Sequence, residues 1–353
     1  VRRIKRYIAQ ALWGAVLTVL LVITSIDSLA ELVDQLGDLG GNYGFVEAVI
    51  YVFLLVPSSI YDYLPLSALV GCLIGLGVLA SSSELTVMRG AGVTIRQIIW
   101  AVMRPILVFI AFGALLGEYV APYTDQYADS RKALAKGHES TFRSQKGVWN
   151  REGNEYMHFS AVLPNGKLFG ITRYLFDKQG QLLETSFIES AVYQQNYWSE
   201  EQGQITRFGD EKLESASFES RRWQTEVTPD LLNVLAAKPD ELPIQRLFEY
   251  ANYLDKQSLD SSEYWLAFWQ KSFQPLATLS LVMIAISFIF GPLRQTTMGF
   301  RVFVGVMVGL VFQTSQKLLG PASIIFGFPP LLAVLAPIGV CALVGFILIR
   351  RSQ

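Results

Sequence analysis

Apolar positions along this chain gather into blocks, and six of the blocks approach the ~20 residues that a helix needs to cross a bilayer. They read as membrane helices over about Ile8–Ile26, Ser58–Ala80, Ile106–Val120 (with a start nearer Ile98), Trp265–Phe290, Val302–Leu318 and Leu331–Ile349. The apolar run before Ala80 is too long for one straight span. Pro57 and Pro65 divide it, so Phe45–Val56 is expected to form a separate interfacial helix. Gly71 with Gly75, and Gly305 with Gly309, stand four apart in their spans. That spacing clears one face for close approach of another helix.

Between the third and fourth blocks the period changes. Asp125–His138 reads as a helix. After it come short runs of alternating polarity: YMHFSAVL, KLFGITRYLF, SFIESAVYQQNYW, ITRF and RRWQTEV. Turn chemistry at Pro164-Asn165-Gly166, Asp177–Gly180 and Gln202-Gly203 separates them, which predicts an antiparallel sandwich or jellyroll. Leu231–Asp260 has helical stretches broken by Pro239 and Pro243. The fold class expected is an integral membrane protein with six transmembrane α-helices, three plus three, around an inserted antiparallel β-jellyroll domain. The blocks are 1–122, 123–262 and 263–353, and a short cytoplasmic helix is expected near 83–92.

Composition agrees with this pattern. Of the 353 residues 51% are hydrophobic, and mean hydropathy is +0.34. A soluble fold of this size would expose large apolar patches. The net charge is −1, so nothing points to nucleic acid. The distribution of charge matters more than its sum. Arg2, Arg3, Lys5 and Arg6 precede the first span, and Asp27, Glu31, Asp34 and Asp38 follow it. Arg89, Arg96 and Arg104 lie between spans two and three, Arg294 and Arg301 between four and five, and Arg350 and Arg351 after six. Cytoplasmic loops are enriched in Lys and Arg, so both termini are expected inside and the β domain outside. The first span resembles a signal-peptide core but has no clear cleavage site, and it reads as a retained anchor.

Candidate chemistry is sparse. The chain has no G-x-x-x-x-G-K-[ST] phosphate loop and no H-E-x-x-H. His138 and His158 are far apart without ligand-spaced partners. Cys72 and Cys341 sit in apolar runs and read as buried thiols. No span carries the row of acids or histidines that a proton relay needs. No catalytic or metal site and no cofactor is expected in this chain, and energy for uphill movement would come from outside it. That leaves a permease driven by a partner, or a membrane anchor displaying a β-domain binding module. The segment SSSELTVMRGAGVTIRQIIWAVMRP, Ser81–Pro105, separates these readings. Ser83 is placed to cap a short helix with Glu84 in its first turn, where the helix dipole favours an anion. Gly90 and Gly92 are placed to end it, and Thr94 to cap the next helix.

Three separated motifs in order, SSSELTVMRGAGVTIRQI, SFIFGPLRQTTMGFRV and LGPASIIFGFPPLLAVLAP, resemble the lipopolysaccharide-export ABC permeases of the LptF/LptG family. Trp269–Pro275 and Leu32–Leu36 look nearer to the LptG type. The resemblance covers essentially the whole chain. It implies extraction of lipopolysaccharide from the bacterial inner membrane, with an LptF-like permease, a dimeric LptB ATPase that binds the ATP and Mg, and LptC as partners. It also implies that the Ser81–Pro105 helix docks into the ATPase, with Glu84 facing a basic group, Leu85, Met88 and Gly92 packing in the groove, and Arg89 beside them. Arg131 and Lys132 would meet lipid phosphate at the outer rim, and Leu20, Ile23, Val308 and Phe312 would line a lateral opening. Some relatives carry lysines after span one where this chain has Glu31, Gly37 and Asp38, which shifts the charge contacts elsewhere. A permease of the same plan for a lipoprotein or phospholipid stays open as an alternative.

Overall fold

The apolar blocks fold as long helices, and in this computed structural model each starts before the sequence-based span and most also run past its end. The structure describes the chain apart from residues 1, 41, 137–147, 164–165, 195, 210–212, 226, 230–231, 233–237, 257–259, 292–295 and 352–353. His138, the Pro164-Asn165 turn, Pro292 and Arg294 therefore lie outside the described residues. The helices are α1 (Arg2–Gly37), α2 (Phe45–Ser81), α3 (Glu84–Gly90), α4 (Ile95–Tyr119), α5 (Ala121–Lys136), α6 (Ile244–Lys256), α7 (Ser262–Phe290), α8 (Met298–Phe326) and α9 (Pro330–Arg351). The strands are β1 (Val148–Glu152), β2 (Glu155–Leu163), β3 (Lys167–Phe176), β4 (Leu182–Gln194), β5 (Tyr197–Phe208) and β6 (Leu213–Trp223). Among the described residues, six helical segments are long and apolar enough to cross a membrane: α1, α2, the α4–α5 run, α7, α8 and α9. The chain divides into two compact units. One holds Val1–Ala30, Val56–Ala121 and Pro243–Gln353, and the other Glu31–Leu55 and Pro122–Leu242.

In the helical unit the expected small-residue faces make the contacts. A Cβ on Gly71 would stand 2.5 Å from Val16 Cα, and one on Gly75 3.3 Å from Leu12 Cα. The α1 backbone thus lies directly on α2, as only glycine allows. Gly305 and Gly309 of α8 receive side chains of α2, and a Cβ there would meet Leu73 Cδ1 at 2.2 Å and Leu66 Cδ1 at 2.1 Å. Around these contacts Leu69, Leu73, Leu76, Ile98, Ile106 and Leu281 form a buried core. Asp27, expected at the outer boundary, is bound within this unit. Ser59 Oγ donates to it at 2.7 Å and Tyr63 Oη at 2.8 Å.

The separate interfacial helix expected before Pro57 is absent. Residues 45–81 form one helix with Pro57 and Pro65 inside it. A proline removes one i→i−4 donor, and in apolar surroundings the freed carbonyl must find a partner. The carbonyl freed by Pro65 belongs to Tyr61, and Gln274 Nε2 from α7 donates to it at 2.9 Å. A side chain distant in sequence thus replaces the missing bond, which no local pattern reveals.

The other unit holds the antiparallel β insertion. Among the described residues its strands form one six-stranded sheet in sequence order, β1-β2-β3-β4-β5-β6. Met157, Phe159, Ile171, Ile188, Trp198 and Trp223 form its apolar core together with Val227 and Leu232. Two sequence-based breaks moved. Gln202-Gly203 is not a turn but lies inside β5, where Gly203 packs under the Phe218 ring and a Cβ would stand 2.2 Å from its Cζ. The SFIESAVYQQNYW run instead splits between β4 and β5. Across the inner face, beside the apolar core, runs a set of charges. Arg173 Nη2 lies 2.9 Å from Glu200 Oε1, Arg173 Nη1 lies 3.4 Å from Glu155, and Arg221 Nε lies 3.7 Å from Glu200. Burial pushes the Glu200 carboxyl above the usual carboxylate range, against the pull of the two guanidinium groups.

Candidate functional site

The α2–α4 junction is built much as its residues require. Thr94 accepts from Gln97 N while the Gln97 side chain accepts from Thr94 N, a reciprocal cap that starts α4. Gly92 takes φ +87° after α3, a conformation that suits glycine. The expected Ser83 cap does not form. Ser83 has φ 63° and makes no side-chain cap bond, because the chain turns there through a left-handed residue. Glu84 in the first turn accepts from Ser82 Oγ at 3.0 Å.

The face of α3 that points outward is not the one the apolar pair suggested. Leu85 is 4% exposed and belongs to the chain's own helical core, and Met88 packs against that core. Residues 85 and 88 share one side of a helix, and that side turns inward. The open side carries Thr86, Val87, Arg89 and Gly90, and Val87 is 70% exposed. Gly92 is also exposed and has open space around it. The sequence signal for Val87 was its place opposite the Leu85–Met88 pair. Arg301, read as part of an inner loop, sits instead in the first turn of α8. It is 4% exposed and donates from Nη1 to the Gly77 carbonyl of α2 at 3.1 Å. It thereby ties α8 to the end of α2 from which α3 departs.

The expected rim cations are bound to acids of their own unit. Arg131 holds Glu47 with two bonds, Nε to Oε2 at 2.6 Å and Nη2 to Oε1 at 3.0 Å. Lys132 Nζ lies 2.7 Å from Asp38, and Lys136 Nζ lies 3.2 Å from its other oxygen. Lys132 also sits over the Tyr51 ring at 4.9 Å. Lys132, followed by Lys136, holds the Asp38 carboxyl below the usual carboxylate range. Glu31 accepts from Gln35, and Gly37 has open space around it. Asp38, whose acidity stood out in the sequence, is thus the counter-ion of Lys132. These pairs are partly exposed, so water and salt screen them and each contributes little to stability.

The structure also re-sorts the four residues expected at a lateral opening. Leu20 is 7% and Phe312 4% exposed, both within the helical core. Val308 packs against that core, and Ile23 packs against Val19, Leu66 and Val70. The outward apolar side of α1 is Leu17, Leu21, Val22 and Ile26, and that of α8 is Phe303, Met307, Leu310 and Val311. In an all-apolar span the sequence does not distinguish the face toward the chain's own helices from the opposite face.

Among the described residues, six helical segments long and apolar enough to span a membrane, a β insertion and a short helix between the second and third of them are the features to set beside known proteins. The lipopolysaccharide export system permease LptF/LptG family matches residues 6–351. The chain belongs to this family. It is 33% identical over 352 residues to the Escherichia coli K12 lipopolysaccharide export system permease protein LptG, covering 99% of this chain and 98% of that protein. The Haemophilus influenzae protein of the same description is 32% identical over 340 residues, covering 96% of this chain and 95% of that protein.

Proposed function

We propose that this chain is a permease subunit of a lipopolysaccharide export system. The observation that carries the reading is the family match along residues 6–351 together with relatives named LptG over nearly their whole length. The chain does no bond chemistry. It works in the bacterial inner membrane with both termini cytoplasmic and the β domain periplasmic. A separate dimeric LptB-type ATPase binds ATP and Mg and moves α3. Glu84 meets a basic group of that ATPase, and Thr86, Val87 and Arg89 form the touching side, with Gly92 leaving room. Leu85 and Met88 act from behind by joining α3 to the core. Movement of α3 passes along α2 and, through the Arg301–Gly77 bond, into α8, a two-state coupling between distant sites. An LptF-like permease completes the lipid cavity, and LptC receives the lipid. Arg131 and Lys132 reach lipid phosphate by exchanging Glu47 and Asp38 for it.

Affinity purification of the full chain from its native membranes tests this. The expected eluate holds a second six-span permease, an ATPase and lipopolysaccharide. An eluate with the chain alone would favour the anchor reading, and one enriched in another amphiphile would favour the alternative cargo.

A further inference from the structure

The inner face of the β sheet changes character along its strands. At one end are Phe159, Ile171, Ile188 and Trp198, all buried. At the other, Glu155, Arg173, Glu184, Ser186, Arg221, Arg222, Trp223 and Gln224 take part in lining a cavity of about 280 Å³. Strand register brings them together, since Arg173 pairs with Ser186, Glu155 with Leu175 beside Glu184, and Arg221 with Glu200.

Arg173 is the centre of this site. It is 4% exposed, braced by Glu200 and Glu155, and set 4.8 Å over the Trp223 ring. Its Nε has no hydrogen-bond partner among the described residues. A buried charged donor left open is costly unless something polar meets it. Glu184 is paired with Arg207 at 2.9 Å, and Arg222 stacks on Tyr197 at 3.9 Å. The lining carries three guanidinium groups against two carboxylates, and beside them both oxygens of the buried Glu200 also lack a hydrogen-bond partner among the described residues, so a ligand that brings both an anionic acceptor for Arg173 and donors for the carboxylates is favoured. An acyl chain would strip water from all five charges with nothing in return. The volume falls just below the ~300–1,000 Å³ of ordinary small-molecule pockets. A single sugar ring fits that size, and its hydroxyls both donate to carboxylates and accept from guanidinium groups.

We propose that this cavity binds a monosaccharide unit carrying one anionic group, a phosphate or a carboxylate. Arg173 and Arg221 hold the anion, Glu155, Ser186 and Gln224 meet the ring hydroxyls, and Trp223 forms the apolar wall. That the exported lipid's own saccharide supplies this unit rests on the transport reading; binding of a free probe does not.

The test is ligand-observed NMR on the full chain in nanodiscs, with glucosamine 1-phosphate, glucuronate, glucosamine and inorganic phosphate as probes. Saturable binding is expected for either or both of the first two, with glucosamine and inorganic phosphate each about tenfold weaker, the worth of one lost charge-assisted bond. The arm that binds more tightly identifies the anionic group. Arg221→Gln should weaken binding by about tenfold, and Lys178→Gln, in an exposed turn, should leave it unchanged. Arg222→Gln serves if Arg221→Gln fails to fold. Absence of saturable binding, binding indifferent to both arginine variants, or phosphate alone binding as well as the sugar phosphate would overturn the proposal.

Discussion

Glu84→Arg is expected to reduce ATP-driven lipid release to the ATP-free background while the membrane unit stays folded. Glu84 stands in the first turn of α3 and accepts from Ser82. Arginine there places a cation at the positive end of the helix and opposite the basic group proposed on the ATPase. That exposed bond does not hold the core together, so thermal stability should change little. Two companion variants separate docking from folding. Val87→Asp alters the 70% exposed apolar side chain of α3 and should also uncouple with stability retained. Leu85→Ala removes a core side chain and should cost about 2–5 kcal/mol of stability. Reconstituted release assays with melting curves read all three. Normal release by Glu84→Arg would remove this residue from the coupling role.

Gly71→Val should have the largest effect on folding. Its Cβ would stand 2.5 Å from Val16 Cα and 2.6 Å from Val16 Cγ2. The first of these is backbone, which no rotamer change relieves, so α1 and α2 must move apart. Overpacking of this kind costs about 1–3 kcal/mol, and more where backbone must shift. Gly339→Ala is the control, since nothing lies within 4 Å of a Cβ there. The expected result is a lowered melting temperature and poor yield for Gly71→Val and near-normal behaviour for Gly339→Ala. Equal stability in the two would mean that α1 does not rest on α2 as described.

Signals with long repetition survived from sequence to structure. Runs of apolar residues located the six spanning helices, and four-residue glycine spacing located the α1–α2 and α2–α8 contacts. Thr94 announced a cap because capping is local. What escaped were features set by distant partners. The bond from Gln274 to the Tyr61 carbonyl lets α2 pass through Pro65, and the Phe218 ring explains Gly203. Both partners lie far along the chain or across a strand pair. The candidate site shows the same divide. Ser81–Pro105 stood out as a capped polar segment, but which side of α3 faces outward depends on the core beneath Leu85. Arg131 and Lys132 were legible as cations but not as partners of Glu47 and Asp38, residues some 84 and 94 positions earlier in the chain.

The most direct test of the transport account is lipopolysaccharide release from proteoliposomes assembled with this chain, an LptF-like permease, the ATPase and an acceptor LptC. The account predicts ATP-dependent release that falls to background when this chain is left out. Undiminished release without it, or none from the full assembly with an active ATPase, would contradict the account.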